Sequence, residues 1–274
     1  MSAGPSETAD RPGDLTAAFR AIRARVGSVV ILFAIAGVCW WWVAEQMAGM
    51  DGGPWSPLGS PGWFLAAWTA MMAAMMFPSV SPTIALYARM TKTRRPSLTF
   101  AFAFGYLIVW AAVGVLALAI AALADAAAAD ALAWDGLGRP LTVATLLIAA
   151  AYEFTPWKRA CLGKCRSPLG FLLGTWRDGL PGATVMGAKL GAWCLGCCWA
   201  LMAAMFALGV MNIVWMASAT VLIALEKLLP WRRTATSLTA AALVCLAVFV
   251  LIAPHALPGT TMIPMNPMSV SLER

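Results

Sequence analysis

Three cysteines fall within five residues in GAWCLGCCWALMAAMFALG, residues 191–209: Cys194, Cys197 and Cys198, followed by Met202 and Met205. At 3.6 residues per turn Cys194 and Cys198 share a helical face, Cys197 lies beside them, and the face continues through Met202 and Met205. Thiolate and thioether are soft donors, and the metal that accepts both readily is Cu(I). Zinc ordinarily takes a further ligand from histidine or a carboxylate, and the single histidine, His255, follows the last apolar segment. Iron–sulfur clusters need four cysteines at a spacing this chain lacks, and a haem would have only Cys or Met to bind it within the apolar segments.

Two further groups of sulfur could join the first. In WFLAAWTAMMAAMMFPSVSP, Met71 and Met75 are one helical turn apart, as are Met72 and Met76. Pro78 and Pro82 follow at once; Pro78 cannot donate to the carbonyl of Ala74, which kinks a helix and frees a carbonyl toward protein or a cavity. In YEFTPWKRACLGKCRSP, Cys161 and Cys165 are one turn apart among Lys158, Arg159, Lys164 and Arg166. Positive charge lowers a thiol pKa and favours the metal-binding thiolate, so this pair is expected to exchange an ion with the Cys194 cluster.

The elements that must position these residues follow from composition. The 274 residues are 61% hydrophobic and 11% charged, with a mean hydropathy of +0.79, which predicts an integral membrane protein. Seven apolar segments approach the roughly 20 residues a helix needs to cross a bilayer: 28–47, 62–88, 98–124, 138–156, 187–211, 213–229 and 235–253. The apolar runs are continuous, without the alternation of barrel strands. The expected fold is therefore all-α, a polytopic bundle of about seven transmembrane helices. A disordered tail (1–27) precedes the bundle (28–253), and a short outside tail (254–274) follows it.

Basic residues alternate between connections. Arg20, Arg23 and Arg25 precede the first segment, Arg89, Lys92, Arg94 and Arg95 follow the second, Lys158 to Arg177 follow the fourth, and Lys227, Arg232 and Arg233 follow the sixth. By the positive-inside rule the N-terminus is cytoplasmic. The net charge of +7 then serves topology, and no basic patch interleaved with aromatics suggests nucleic-acid binding. No Gly-rich phosphate loop is present, so no nucleotide cofactor is expected.

Packing is the competing explanation for the sulfur, since methionine fills irregular gaps and buried cysteine acts as a small hydrophobe. Cys39 and Cys245 are solitary and read as structural. Asn212 reads as a helix cap. Glu153 and Glu226 stand near inner helix ends, either as residues of an ion path or as interfacial groups beside basic neighbours. The glycines at 187, 191 and 196 would let neighbouring helices come close to the cysteine face.

The blocks WTAMMAAMMFPSVSP, YEFTPWKRACLGKCRSP and GAWCLGCCWALMAAMFALGVMNIVWM, with the EK of VLIALEKLLP, resemble a bacterial family described as predicted metal-binding integral membrane proteins. Some members carry a copper-chaperone label. The resemblance covers roughly residues 60 to 230 and carries over Met71, Met75, Met76, Cys161, Cys165, Cys194, Cys197 and Cys198. It implies a copper-handling protein of the bacterial inner membrane that holds Cu(I) and exchanges it with a soluble or membrane partner, a carrier rather than an enzyme. Two alternatives stand beside it. In one, Cys194 and Cys197 form a transmembrane thiol–disulfide relay; in the other, the chain is a scaffold subunit without chemistry.

Overall fold

The computed structural model describes residues 12–47, 60–91, 95–128, 134–209, 212–229 and 232–253. All regular structure among them is helical: α1 (Pro12–Met47), α2 (Pro61–Met90), α3 (Pro96–Ala128), α4 (Arg139–Tyr152), α5 (Pro156–Cys165), α6 (Pro168–Thr175), α7 (Gly179–Gly209), α8 (Ile213–Leu228) and α9 (Arg232–Ile252). A single π turn, Trp134–Gly138, kinked at Gly136, leads into α4. Each of the seven expected segments falls on a helix. Five helices, α1, α2, α3, α7 and α9, contain a stretch long and apolar enough to cross a membrane.

Several boundaries differ from expectation. Helix α1 begins at Pro12, so residues 12–27, expected to be disordered, are helical backbone. Proline is favoured at the first helical position, and the Leu, Ala and Arg that follow are good helix formers. Residues 1–11, the tail 254–274 and His255 lie outside the described residues. Helix α4 ends at Tyr152, four residues early, because Pro156 biases Thr155 away from helical geometry. Thr155 caps α5 instead, its side chain accepting from the Lys158 amide at 3.2 Å. Helix α7 starts eight residues early at Gly179 and ends at Gly209, whose φ of 109° is the left-handed conformation that closes many helices.

Helix α7 is the centre of the bundle, touching α3, α4, α5 and α8, while α1 and α3 flank α2 and α9 lies on α4. Its contact with α3 is the most extensive, and small residues allow it. A Cβ added to Gly187 would collide with the carbonyl oxygen of Phe102, and one added to Gly105 with that of Thr184. The two backbones thus meet directly, as in small-residue membrane packing. Gly187→Val is expected to cost about 1–3 kcal/mol through overpacking, read as a lower thermal midpoint in detergent. Gly163→Ala, at a position where an added Cβ meets nothing within 4 Å, serves as the neutral comparison. Equal midpoints for the two variants would refute backbone contact between α3 and α7.

The interior is aromatic at one level and sulfur-rich at the next. Trp68 donates its indole N–H to the Trp110 carbonyl at 2.8 Å, and its ring stacks on Phe64. Below them Met71, Met72, Met75 and Met76 are all buried. Pro78 and Pro82 lie inside α2, and since Pro82 has no N–H for the Pro78 carbonyl, the Ser81 hydroxyl donates to it at 2.9 Å. Large apolar side chains including Phe33, Trp41, Phe104, Leu116, Ile120 and Leu123 lie on the outer surface.

Candidate metal centre

Cys194, Cys197 and Cys198 are fully or almost fully buried, and their sulfurs all lie within 4.8 Å of one another. Helical spacing alone sets this triangle. The thiols of Cys197 and Cys198 both point back along α7 and donate to the Cys194 carbonyl, each at 3.0 Å, a local side-chain-to-backbone pattern three and four residues apart.

Each neighbouring helix adds a specific group. Helix α2 brings Met76, whose sulfur is 3.9 Å from that of Cys194. Met76 lies fifteen residues from the start of α2 and Cys194 fifteen from the end of α7, so both sit about 22 Å from those ends at 1.5 Å per residue. Helix α3 brings the buried Tyr106, its hydroxyl 3.0 Å from the Cys194 sulfur. Helix α8 brings Lys227, whose ammonium donates to the Cys194 sulfur at 3.1 Å and to the Ser79 hydroxyl at 3.2 Å. Helix α5 brings Cys165, whose sulfur is 3.9 Å from that of Cys197.

Gly196 explains how α5 comes so near. A Cβ there would stand 2.7 Å from the Cys161 sulfur, so only glycine leaves room for that thiol beside α7. The Tyr152 hydroxyl at the end of α4 donates to the Gly196 carbonyl at 2.6 Å and holds the junction. Cys161 and Cys165, both half-buried, therefore extend the thiol cluster sideways. Glycines 187 and 191 face α3, and Gly196 faces α5, which accords with the close approach expected of them.

The electrostatics of α5 correct one expectation. Its basic residues do not activate its thiols: burial, with the neighbouring Cys197, pushes the Cys161 thiol up, and hydrogen bonding to Cys194 and Cys197 raises Cys165 well above the ordinary thiol range. The cations are engaged elsewhere. Arg166 donates to the carbonyls of Glu226 and, at very short range, Leu229, which caps the end of α8. Lys158 is buried between Glu153 and Glu226, 2.8 Å from the latter. Burial alone would lower its pKa, but Glu226 and Glu153 outweigh that and raise it.

Glu153 and Glu226 are thus both buried and share one lysine. One oxygen of Glu153, Oε1, is buried without a hydrogen-bond partner. The remaining methionines expected at the site are all buried. Met205 lines a cavity of about 440 Å³ between α7, α8 and α9 with Leu208, Trp215, Ser218 and Cys245. Met202, Met71, Met72 and Met75 are buried in the core. Asn212 caps α8 as expected, accepting from the Val214 amide at 2.9 Å.

Lys227, Tyr106 and Ser79 were not anticipated as parts of the cluster. Lys227 had a visible signal, a charged EK pair ending an otherwise apolar run. A family model described as PpoB2, copper chaperone, matches residues 65–250, a stretch that includes every cysteine and lysine of the cluster. No curated protein and no solved structure matches the chain.

Proposed function

Since the chain belongs to the PpoB2 copper chaperone family, we propose that it is a multi-pass protein of the bacterial inner membrane that holds Cu(I) as cargo and hands it on. Five helices of spanning length, an apolar outer surface and the alternation of basic connections support the membrane placement. In this reading α1, α2, α3, α4, α7, α8 and α9 cross the bilayer, and α5 and α6 lie on the cytoplasmic side.

One observation carries the reading: the 3.9 Å contact between Cys165 and Cys197, which joins the thiols of α5 and α7 into one series. Cu(I) binds two or three soft ligands without a strong demand on geometry. It can therefore pass between neighbouring thiols by gaining a ligand before losing one. The half-buried Cys161 is the point at which a partner's thiols would meet the chain, Cys165 is the intermediate, and Cys194, Cys197 and Cys198 with Met76 are the store. Met202 and Met205 stand about 6 and 16 Å along α7 from Cys198 and Cys194 respectively, so they belong to a later position on a path, if cargo continues along α7.

The test is transfer separated from storage. Cys165→Ser is expected to leave about one copper per chain in protein purified under reducing conditions, yet to slow its removal by a soluble thiol chelator by at least about tenfold. Mass spectrometry gives the first quantity and stopped-flow absorbance of the chelator complex the second. Unchanged release by Cys165→Ser would rule out the route through α5.

A further inference from the structure

Lys227 presents a problem that the copper reading leaves open. A buried ammonium needs acceptors for its three N–H groups, and this one takes the Cys194 sulfur at 3.1 Å, the Ser79 hydroxyl at 3.2 Å and, more distantly, the Met76 sulfur at 3.9 Å. Two of the three are soft sulfurs, poor partners for a strongly hydrated cation. They are also the two donors, one from α2 and one from α7, that approach each other across the centre of the cluster at 3.9 Å. The ammonium points at the sulfur lone pairs that a Cu(I) ion would use.

We propose that Lys227 is the resident cation of the thiol cluster, and that Cu(I) loads by exchange with its ammonium rather than by entry into a vacant site. The inference rests on the copper reading and adds how the site is kept ready. With Cys194 as the thiolate that accepts from the ammonium, and Cys197 and Cys198 keeping the protons they donate to its carbonyl, removing the ammonium and placing Cu(I) there substitutes one monovalent cation for another. No electron moves, and the charge at the sulfur's neighbourhood is conserved, which matters in a medium that penalises any unpaired charge. The soft ion displaces the hard one because sulfur prefers it, and two cations cannot share the gap between Cys194 and Met76.

A receiving acceptor exists beside the adjoining residue. Glu226, next to Lys227 in α8, and Glu153 together hold a single lysine, Lys158, and Glu153 Oε1 is buried without a partner. Burial holds the Glu153 carboxyl up at about 8, so on receiving the ammonium it gives up its proton to solvent and one proton leaves as one Cu(I) enters; the side chain of Lys227 is long and unbranched enough to swing toward the pair. The unsaturated carboxylate pair and the misplaced ammonium are thus complementary: each has what the other lacks.

The experiment uses full-length protein in detergent with ¹⁵N-labelled lysine and Ag(I), a diamagnetic stand-in for Cu(I). The chain has five lysines, Lys92, Lys158, Lys164, Lys189 and Lys227, so the side-chain spectrum is simple. The Lys227 signal is assigned by its absence in Lys227→Arg or, if that variant does not fold, by elimination with the other four replaced in turn. The first equivalent of Ag(I) is expected to move the Lys227 resonance stoichiometrically, while that of the exposed Lys189 stays in place. Silver bound at one ion per chain with the Lys227 resonance unmoved overturns the exchange and leaves the copper reading intact. No silver bound by the wild-type protein overturns both.

Discussion

Replacing Cys194, Cys197 and Cys198 together by serine is expected to reduce copper from near one ion per chain to less than about a tenth of that, because a hydroxyl is a hard and weakly acidic donor that Cu(I) does not prefer. The three sulfurs share a site no wider than 4.8 Å, so no subset of other donors can rebuild it. Met76 lies against Cys194 from α2, and Cys161 and Cys165 remain as two thiols on α5. The substitution exchanges sulfur for oxygen within well-packed helix, so the helical circular dichroism should persist while the metal is lost. A Met202→Leu/Met205→Leu protein, altered on the same helix but away from the thiols, is expected to keep its copper. Copper retained by the triple variant would move the store to α5; copper lost by the methionine variant would extend it along α7.

The second large effect concerns stability. Lys158→Met removes the ammonium that lies between Glu153 and Glu226 and leaves two buried carboxyl groups facing each other. Breaking a buried ion pair from one side costs about 3–5 kcal/mol, and for a chain of this size that lowers the thermal midpoint by roughly 10 °C. Replacing all three groups at once with apolar residues of similar volume should recover most of that loss, because the penalty arises from the uncompensated charge and not from absent attraction. Glu153→Gln is expected to be the mildest single change, since one of its oxygens already lacks a partner. Thermal unfolding of the four proteins in one detergent separates these cases. A Lys158→Met midpoint equal to that of wild type would mean that water reaches the carboxylates.

The sequence discloses the helices and their sulfur more readily than the polar partners of that sulfur. Apolar runs and basic connections locate the seven main helices because burial and charge placement are properties of contiguous segments. The triangle of Cys194, Cys197 and Cys198 is legible for the same reason, since a helix fixes residues three and four apart. Lys227 is not legible in that way. Its role depends on which face of α8 meets α2 and α7, and 33 residues separate it from Cys194. Helical periodicity also puts Met205 on the Cys194 face, yet its side chain borders the cavity toward α9. About 16 Å of helix separates it from Cys194. The basic residues of α5 mislead in the opposite sense: proximity in sequence to Cys161 and Cys165 suggests activation, whereas Lys158 and Arg166 turn toward α8.

The Glu153–Lys158–Glu226 cluster also bears on how the chain is built. Glu153 and Lys158 are five residues apart, and Glu226 follows Lys158 by 68. During synthesis, then, Lys158 meets Glu153 first, as a local neutral pair made long before α8 exists. Glu226 and Lys227 emerge later as a second neutral pair. Each segment, as it is made, thus pairs one acid with one base of these four groups. In the folded chain the partners are different: Lys158 lies against both carboxyl groups and Lys227 against Cys194. The charge cluster and the thiol site therefore each take a group from α8, and neither is complete until that helix has been made.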